Sequence, residues 1–308
     1  MHERRTASLI TTLLMLASMA LSLSSSEGRI PQKMPELGSR NAVARAVDNT
    51  LARSLASTQT LVSSGSGHFS IEMRLRGTSL SGAQKAILQQ AATRVAGLLT
   101  STFQPVTLDL PRGACDKGLP AIHERVGRFF VFVVVKDLGD DVYGDSTPCD
   151  LHDKTFLPIY GAIDLNSRGL DIQAAPELLD TMIHELLHAL GVGTLWTPDE
   201  RVSLSGDSDN RSLVRKTGQK WVYTAPRALS AYKALGGKGS GIPLDPDQGH
   251  WAGELFCSEI LSGNAGDVTD RVNPVSLITL SALEDLGYAA NLSKADRYHL
   301  SGKACPSN

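Results

Sequence analysis

The 308-residue sequence lacks a strong charge of either sign, with 30 lysines and arginines against 32 acidic residues and a formal net charge of −2. No whole-chain field draws it to polyanions, so nucleic acid is excluded as an expected partner. It also lacks long apolar runs after residue 23, so nothing downstream is apolar enough to span a bilayer. Internal repeats are absent, and cysteine is scarce: Cys115, Cys149, Cys257 and Cys305 are the only four. What is there is ordinary globular material, 42% hydrophobic and 20% charged, enough for one large domain or two modest ones.

His2, Arg4 and Arg5 precede the apolar stretch "ASLITTLLMLASMALSL" and then small polar residues. This layout predicts a secretory signal over residues 1–22, cleaved after Ala20 or Ser22, and a secreted protein. Membrane association is expected only if the segment stays on as an anchor. An even cysteine count in an exported chain predicts two disulfides. Three pairings are open, and proximity favours Cys115 with Cys149 and Cys257 with Cys305. Asn210 in "NRS" and Asn291 in "NLS" fit the glycan acceptor pattern.

Residues 23–67 read as a polar leader or short pro-region, with a boundary at the flexible "SSGSG" of residues 63–67. "FSIEMRLRG" then alternates as a half-buried strand does, and a helical pattern follows it. "RFFVFVVVKDL" has the β-branched and aromatic character of an interior strand, and "LPIYGAIDLN" is a shorter strand. In "PELLDTMIHELLHALG", Pro176 suits a helix start and Gly191 its end. Residues 197–249 turn polar and glycine-rich around one helix, "APRALSAYKALG", and "SLITLSALEDLGY" is helical again. Alternating strands and helices predict an α/β or α+β domain.

The chemistry concentrates in "HELLHALGVG". On a helix, His184 and His188 lie one turn apart on one face, so both rings can reach one ion roughly 2 Å away. Glu185 is rotated about 100° from His184, where it can reach a water without ligating the ion. The alternative, histidines satisfied by ordinary hydrogen bonds in a buried helix, leaves two imidazoles and a carboxylate to be compensated among leucines, which a metal does directly. Glycine at 191 lets the chain leave the helix so that a third ligand can come from downstream. His2, His68, His123, His152, His250 and His299 remain for that position, and His250 lies 62 residues beyond His188. Spacing does not choose among them.

Together, "HELLHALGVGTLW", "WVYTAPRALSAYKALGG", "GHWAGELFCSEILSG" and "LITLSALEDLGY" resemble, in order, segments of the leishmanolysin-like branch of the metzincin zinc endopeptidases. The similarity runs over roughly residues 69–288. The resemblance implies one zinc per chain on His184, His188 and His250, with Glu185 as general base and protein or peptide substrates. It implies a metzincin-type fold with a mixed twisted sheet, an active-site helix and a smaller C-terminal subdomain. The division that follows is 68–196 for the N-terminal catalytic part, 197–249 for the insertion and 250–308 for the C-terminal part with the third ligand. "LPIYGAIDLN" would be the edge strand along which substrate lies. Glu259 and Trp251 receive no catalytic role, and Asp285 is a candidate to orient a ligating imidazole.

Leu261 stands where the family carries methionine in a turn beneath the zinc, a nearly volume-conserving change. No cysteine precedes Cys115, so a pro-region thiol capping the metal is excluded. The competing expectation is a secreted adhesion or binding protein on the same fold with weak or lost catalysis.

Overall fold

The computed structural model describes residues 58–64, 69–77, 80–140, 142–170, 172–262, 272–300 and 305. The expected signal, the leader up to residue 57, His2 and His68 lie outside the described residues. The strands are β1 (Thr58–Ser64), β2 (Ser70–Arg76), β3 (Val106–Leu110), β4 (Ile122–Val126), β5 (Phe129–Lys136), β6 (Gly144–Pro148), β7 (Tyr160–Asn166), β8 (Val214–Thr217), β9 (Lys220–Tyr223) and β10 (Ile242–Pro243). The helices are α1 (Gly82–Ala96), α2 (Ser167–Leu170), α3 (Ala175–Ala189), α4 (Pro226–Ala234), α5 (Gly253–Phe256) and α6 (Leu277–Leu286). Among the described residues no helix is long and apolar enough to cross a membrane.

The main sheet has five strands in the order β1-β2-β5-β7-β6. The β2/β5 and β5/β7 pairs are parallel, while β1/β2 and β7/β6 are antiparallel, so the sheet is mixed and the class α+β. β5 is central, and Phe129, Phe130, Val131, Phe132 and Val133 are all buried. An unbroken apolar run is what a strand covered on both faces requires. Helix α1 starts with a capping box in which Ser81 Oγ accepts from Gln84 N at 3.2 Å and Gln84 Oε1 accepts from Ser81 N at 2.8 Å. It buries Leu88, Ala91, Ala92 and Val95 and packs against α3.

Two expectations are corrected here. Residues 58–64, read as leader, form β1, paired along its length with β2 from Thr58↔Arg76 to Ser64↔Ser70. Ser63 and Ser64 of "SSGSG" are thus strand residues, and residues 65–67 lie outside the described residues. The second concerns "LPIYGAIDLN", expected at the sheet edge. It forms β7, hydrogen-bonded to β5 on one side and β6 on the other. The edge is β6, "GDSTP", too polar and short to be legible as a strand.

The disulfides pair as proximity favours. Cys115–Cys149 ties the loop between β3 and β4 to the end of β6, and Cys257–Cys305 ties residue 305 to the turn after α5. The segment expected as an insertion holds α4 and a three-stranded sheet in the order β10-β9-β8. Aromatic packing holds it to its two flanks, with the Trp196 and Trp251 ring centroids 5.0 Å apart and Tyr223 at 4.9 Å and 5.4 Å from them. Its far end is tied down at Asp285, whose carboxylate accepts from Tyr223 OH, Arg227 N and Ala228 N. Asp285 thus caps α4 and orients no imidazole, contrary to expectation.

Candidate metal centre

Helix α3 begins with Pro176 in its first turn, where the missing N–H has no intrahelical partner to lose, and Glu177 Oε2 accepts from Ala174 N at 2.8 Å. It ends where Gly191 and Gly193 take positive φ of 102° and 86°. Leu178, Met182, Ile183, Leu186 and Leu187 bury the helix beside the sheet. Gly161 of β7 admits this close approach, since a Cβ there would lie 3.2 Å from that of Ala189. The packing fixes the rotation of α3, and with it the direction of His184 and His188.

The structure brings His250 to the same point. The Nε2 atoms of His184 and His188 are 2.9 Å apart, and that of His250 is 3.1 Å from each. The other ring nitrogens all face acceptors at 2.7 Å: His184 Nδ1 the Ile260 carbonyl, His188 Nδ1 the Val192 carbonyl, and His250 Nδ1 the Asp247 carboxylate. These partners assign the protons to Nδ1. Three bare Nε2 lone pairs then converge with no donor among them, an arrangement that calls for a cation. Nitrogens about 2.0–2.1 Å from one tetrahedral ion would sit roughly 3.3 Å apart, so the site needs only a slight opening. The set His184, His188 and His250 can hold a metal ion, and it is the group of that kind among the described residues.

Burial favours the neutral imidazole at His184 and His188. Burial lowers the pKa of His184 to about 4, helped by neighbouring His250, and burial with the adjacent rings lowers His188 well below the usual range. Neutral rings are the ligating form. Glu185 is only 4% exposed, and burial raises its carboxyl to about 7. Its Oε1 lies over Gly144 at the start of β6, where a Cβ would come within 2.8 Å. Ser146 Oγ donates to the Glu185 carbonyl at 2.9 Å, linking the helix to the edge strand. The Glu185 carboxylate and the edge strand are therefore neighbours.

The other candidate histidines are elsewhere. His123 on β4 is exposed and bonded to Asp109, and His152 packs edge-on to Phe103 with ring centroids 5.0 Å apart. His299 lines a cavity of about 680 Å³ behind α3, with Ile183, Phe256 and Asn273. Sequence reasoning missed Asp247, Gly144 and the partners of Glu259. Asp247 stands three residues before His250, a visible signal with no spacing rule to make it stand out.

No protein-family model matches the chain, and no curated protein matches it significantly. The site is thus defined by its own geometry: three converging histidines that could hold a metal ion, beside a buried carboxylate, on an α+β domain with a mixed sheet and two disulfides.

Proposed function

We propose that this protein is an exported, zinc-dependent endopeptidase of the leishmanolysin-like metzincin type. The observation that carries the reading is the convergence of three Nε2 atoms within 3.1 Å of one another, on and beside the helix whose Glu185 carboxylate lies over Gly144 of the edge strand β6. Three converging imidazoles fit zinc, and Nδ1 hydrogen bonds to carbonyls and a carboxylate are the usual support for such ligands. When bound, zinc would act as a Lewis acid that polarises a carbonyl and acidifies water near neutral pH.

The chain's own residues supply the rest. An extended peptide adds to the outer side of β6 through backbone hydrogen bonds, which places a scissile carbonyl near the histidines. Glu185, the buried carboxylate next to His184 on the helix, takes the proton from the attacking water and delivers it to the departing amine nitrogen. Its burial keeps bulk water from competing for that proton. Two disulfides agree with export.

The test is zinc content and cleavage of an unfolded protein substrate by the mature chain, with and without chelator. About one zinc per chain with chelator-sensitive cleavage is expected. Full zinc without cleavage would instead favour a binding protein on this fold, the reading toward which Leu261 leans.

A further inference from the structure

A carboxylate that no catalytic step uses lies under the metal centre. Glu259 is 0% exposed, and its carboxylate accepts three hydrogen bonds. Its Oε2 accepts from Leu261 N at 2.7 Å, and its Oε1 accepts from Ser276 N at 3.0 Å and Thr279 Oγ1 at 2.6 Å. Burial pushes its pKa up, yet a protonated carboxyl would bring a second donor into a ring of donors. The ionised form fits, and the N-terminus of α6, capped at Ser276, favours negative charge there.

Two short chains lead from this carboxylate to two of the three imidazoles. The bond from Leu261 N fixes the turn that aims the Ile260 carbonyl at His184 Nδ1, 2.7 Å away. Thr279 Oγ1 donates a hydrogen bond to Glu259 and accepts one from Trp251 Nε1 at 2.9 Å, while Trp251 N donates to the Leu261 carbonyl at 2.9 Å. Trp251 directly follows His250. His188, by contrast, is held by Val192 at the end of its own helix and touches neither chain.

We infer that Glu259 is a positioning residue of the metal centre, orienting His184 through Ile260 and the His250 segment through Thr279 and Trp251. The inference rests on the zinc reading for its consequence, though not for its geometry. A buried charge serving only to fill space is a poor solution, since an apolar residue of that volume would cost less. A carboxylate answers three donors at once and so admits a single arrangement of the turn.

The test uses the full chain as Glu259→Gln and, separately, Thr279→Val, with folding followed by circular dichroism. Zinc affinity is read by competition with a chromophoric chelator, and ring tautomers by ¹⁵N-histidine NMR of the metal-free protein. Folded Glu259→Gln should bind zinc about 10–100-fold more weakly, with His184 losing its pure Nδ1–H form and His188 keeping its own. Thr279→Val should perturb His250 more than His184, and it decides the matter if Glu259→Gln does not fold. Zinc affinity and tautomers like those of the unsubstituted protein would overturn the inference. An unsubstituted protein that binds no zinc would sink the peptidase reading, while the tautomer comparison would still judge Glu259.

Discussion

His188 and His250 aim the same atom at the same point, but the molecule holds them in opposite ways. His188 is 6% exposed, rides on a buried helix and donates to a carbonyl four residues on, so local geometry suffices to place it. His250 has a side chain 25% exposed, comes back from 62 residues away and depends on Asp247, itself mostly in solvent. A ligand on a packed helix is rigid by default, whereas one on a loop is only as rigid as its hydrogen bonds and the segment beneath it. The centre is therefore expected to fail first from the loop side.

The largest effect tests the helix side. On the proposed peptidase reading, Glu185→Gln should keep zinc and lower turnover on an unfolded protein about 10²–10⁴-fold; undiminished cleavage would count against Glu185 as the base. Next comes the place where the two ligand segments meet. A Cβ at Gly193 would lie 2.2 Å from the Gly249 carbonyl and 2.9 Å from His188 Cε1, at a φ of 86°. Gly193→Ala should therefore cost about 2–3 kcal/mol in denaturant unfolding and weaken zinc through both segments, and a neutral result would break the picture of two abutting turns.

Asp247→Asn isolates the loop side. Zinc affinity should fall about 10–100-fold with little change in global stability, and equal affinity would make His250 as self-sufficient as His188. The smallest effect concerns the loop that follows the histidine-bearing helix, at the start of the insertion. Arg201, fully buried, bonds Asp209 through Nε and Nη2 and the Leu195 carbonyl through Nη1. Burial alone would raise the Asp209 pKa, but hydrogen bonds from Arg211 and then Arg201 outweigh it and hold the carboxyl well below its usual range. A pKa depressed on folding gives stability that is full above about 3.9 and fades as pH falls below that value. Asp209→Asn should flatten the loss of unfolding free energy between about pH 6 and 3 by about 1 kcal/mol; an unchanged slope would place the acid sensitivity elsewhere.

The parts legible in advance share a short range. The rotation of His184, Glu185 and His188 about one helix, the proline and glycine at its ends, and the interior run of β5 follow from periodicity and backbone chemistry within a dozen or so residues. β6 was illegible because "GDSTP" has no apolar alternation; its strand character comes from pairing with β7. Likewise "KWVY" and "VRKT" are too short to declare themselves, and become strands only as the insertion folds over Trp196 and Trp251.

By itself, then, the sequence determined a two-histidine helix with a carboxylate on the adjacent face, because helical spacing is a local property. Only the tertiary structure decided that the edge strand is β6, that Asp247 holds the third ring and that Glu259 lies under two of them. Those relations join residues tens of positions apart, and burial and hydrogen-bond satisfaction across the whole domain select them.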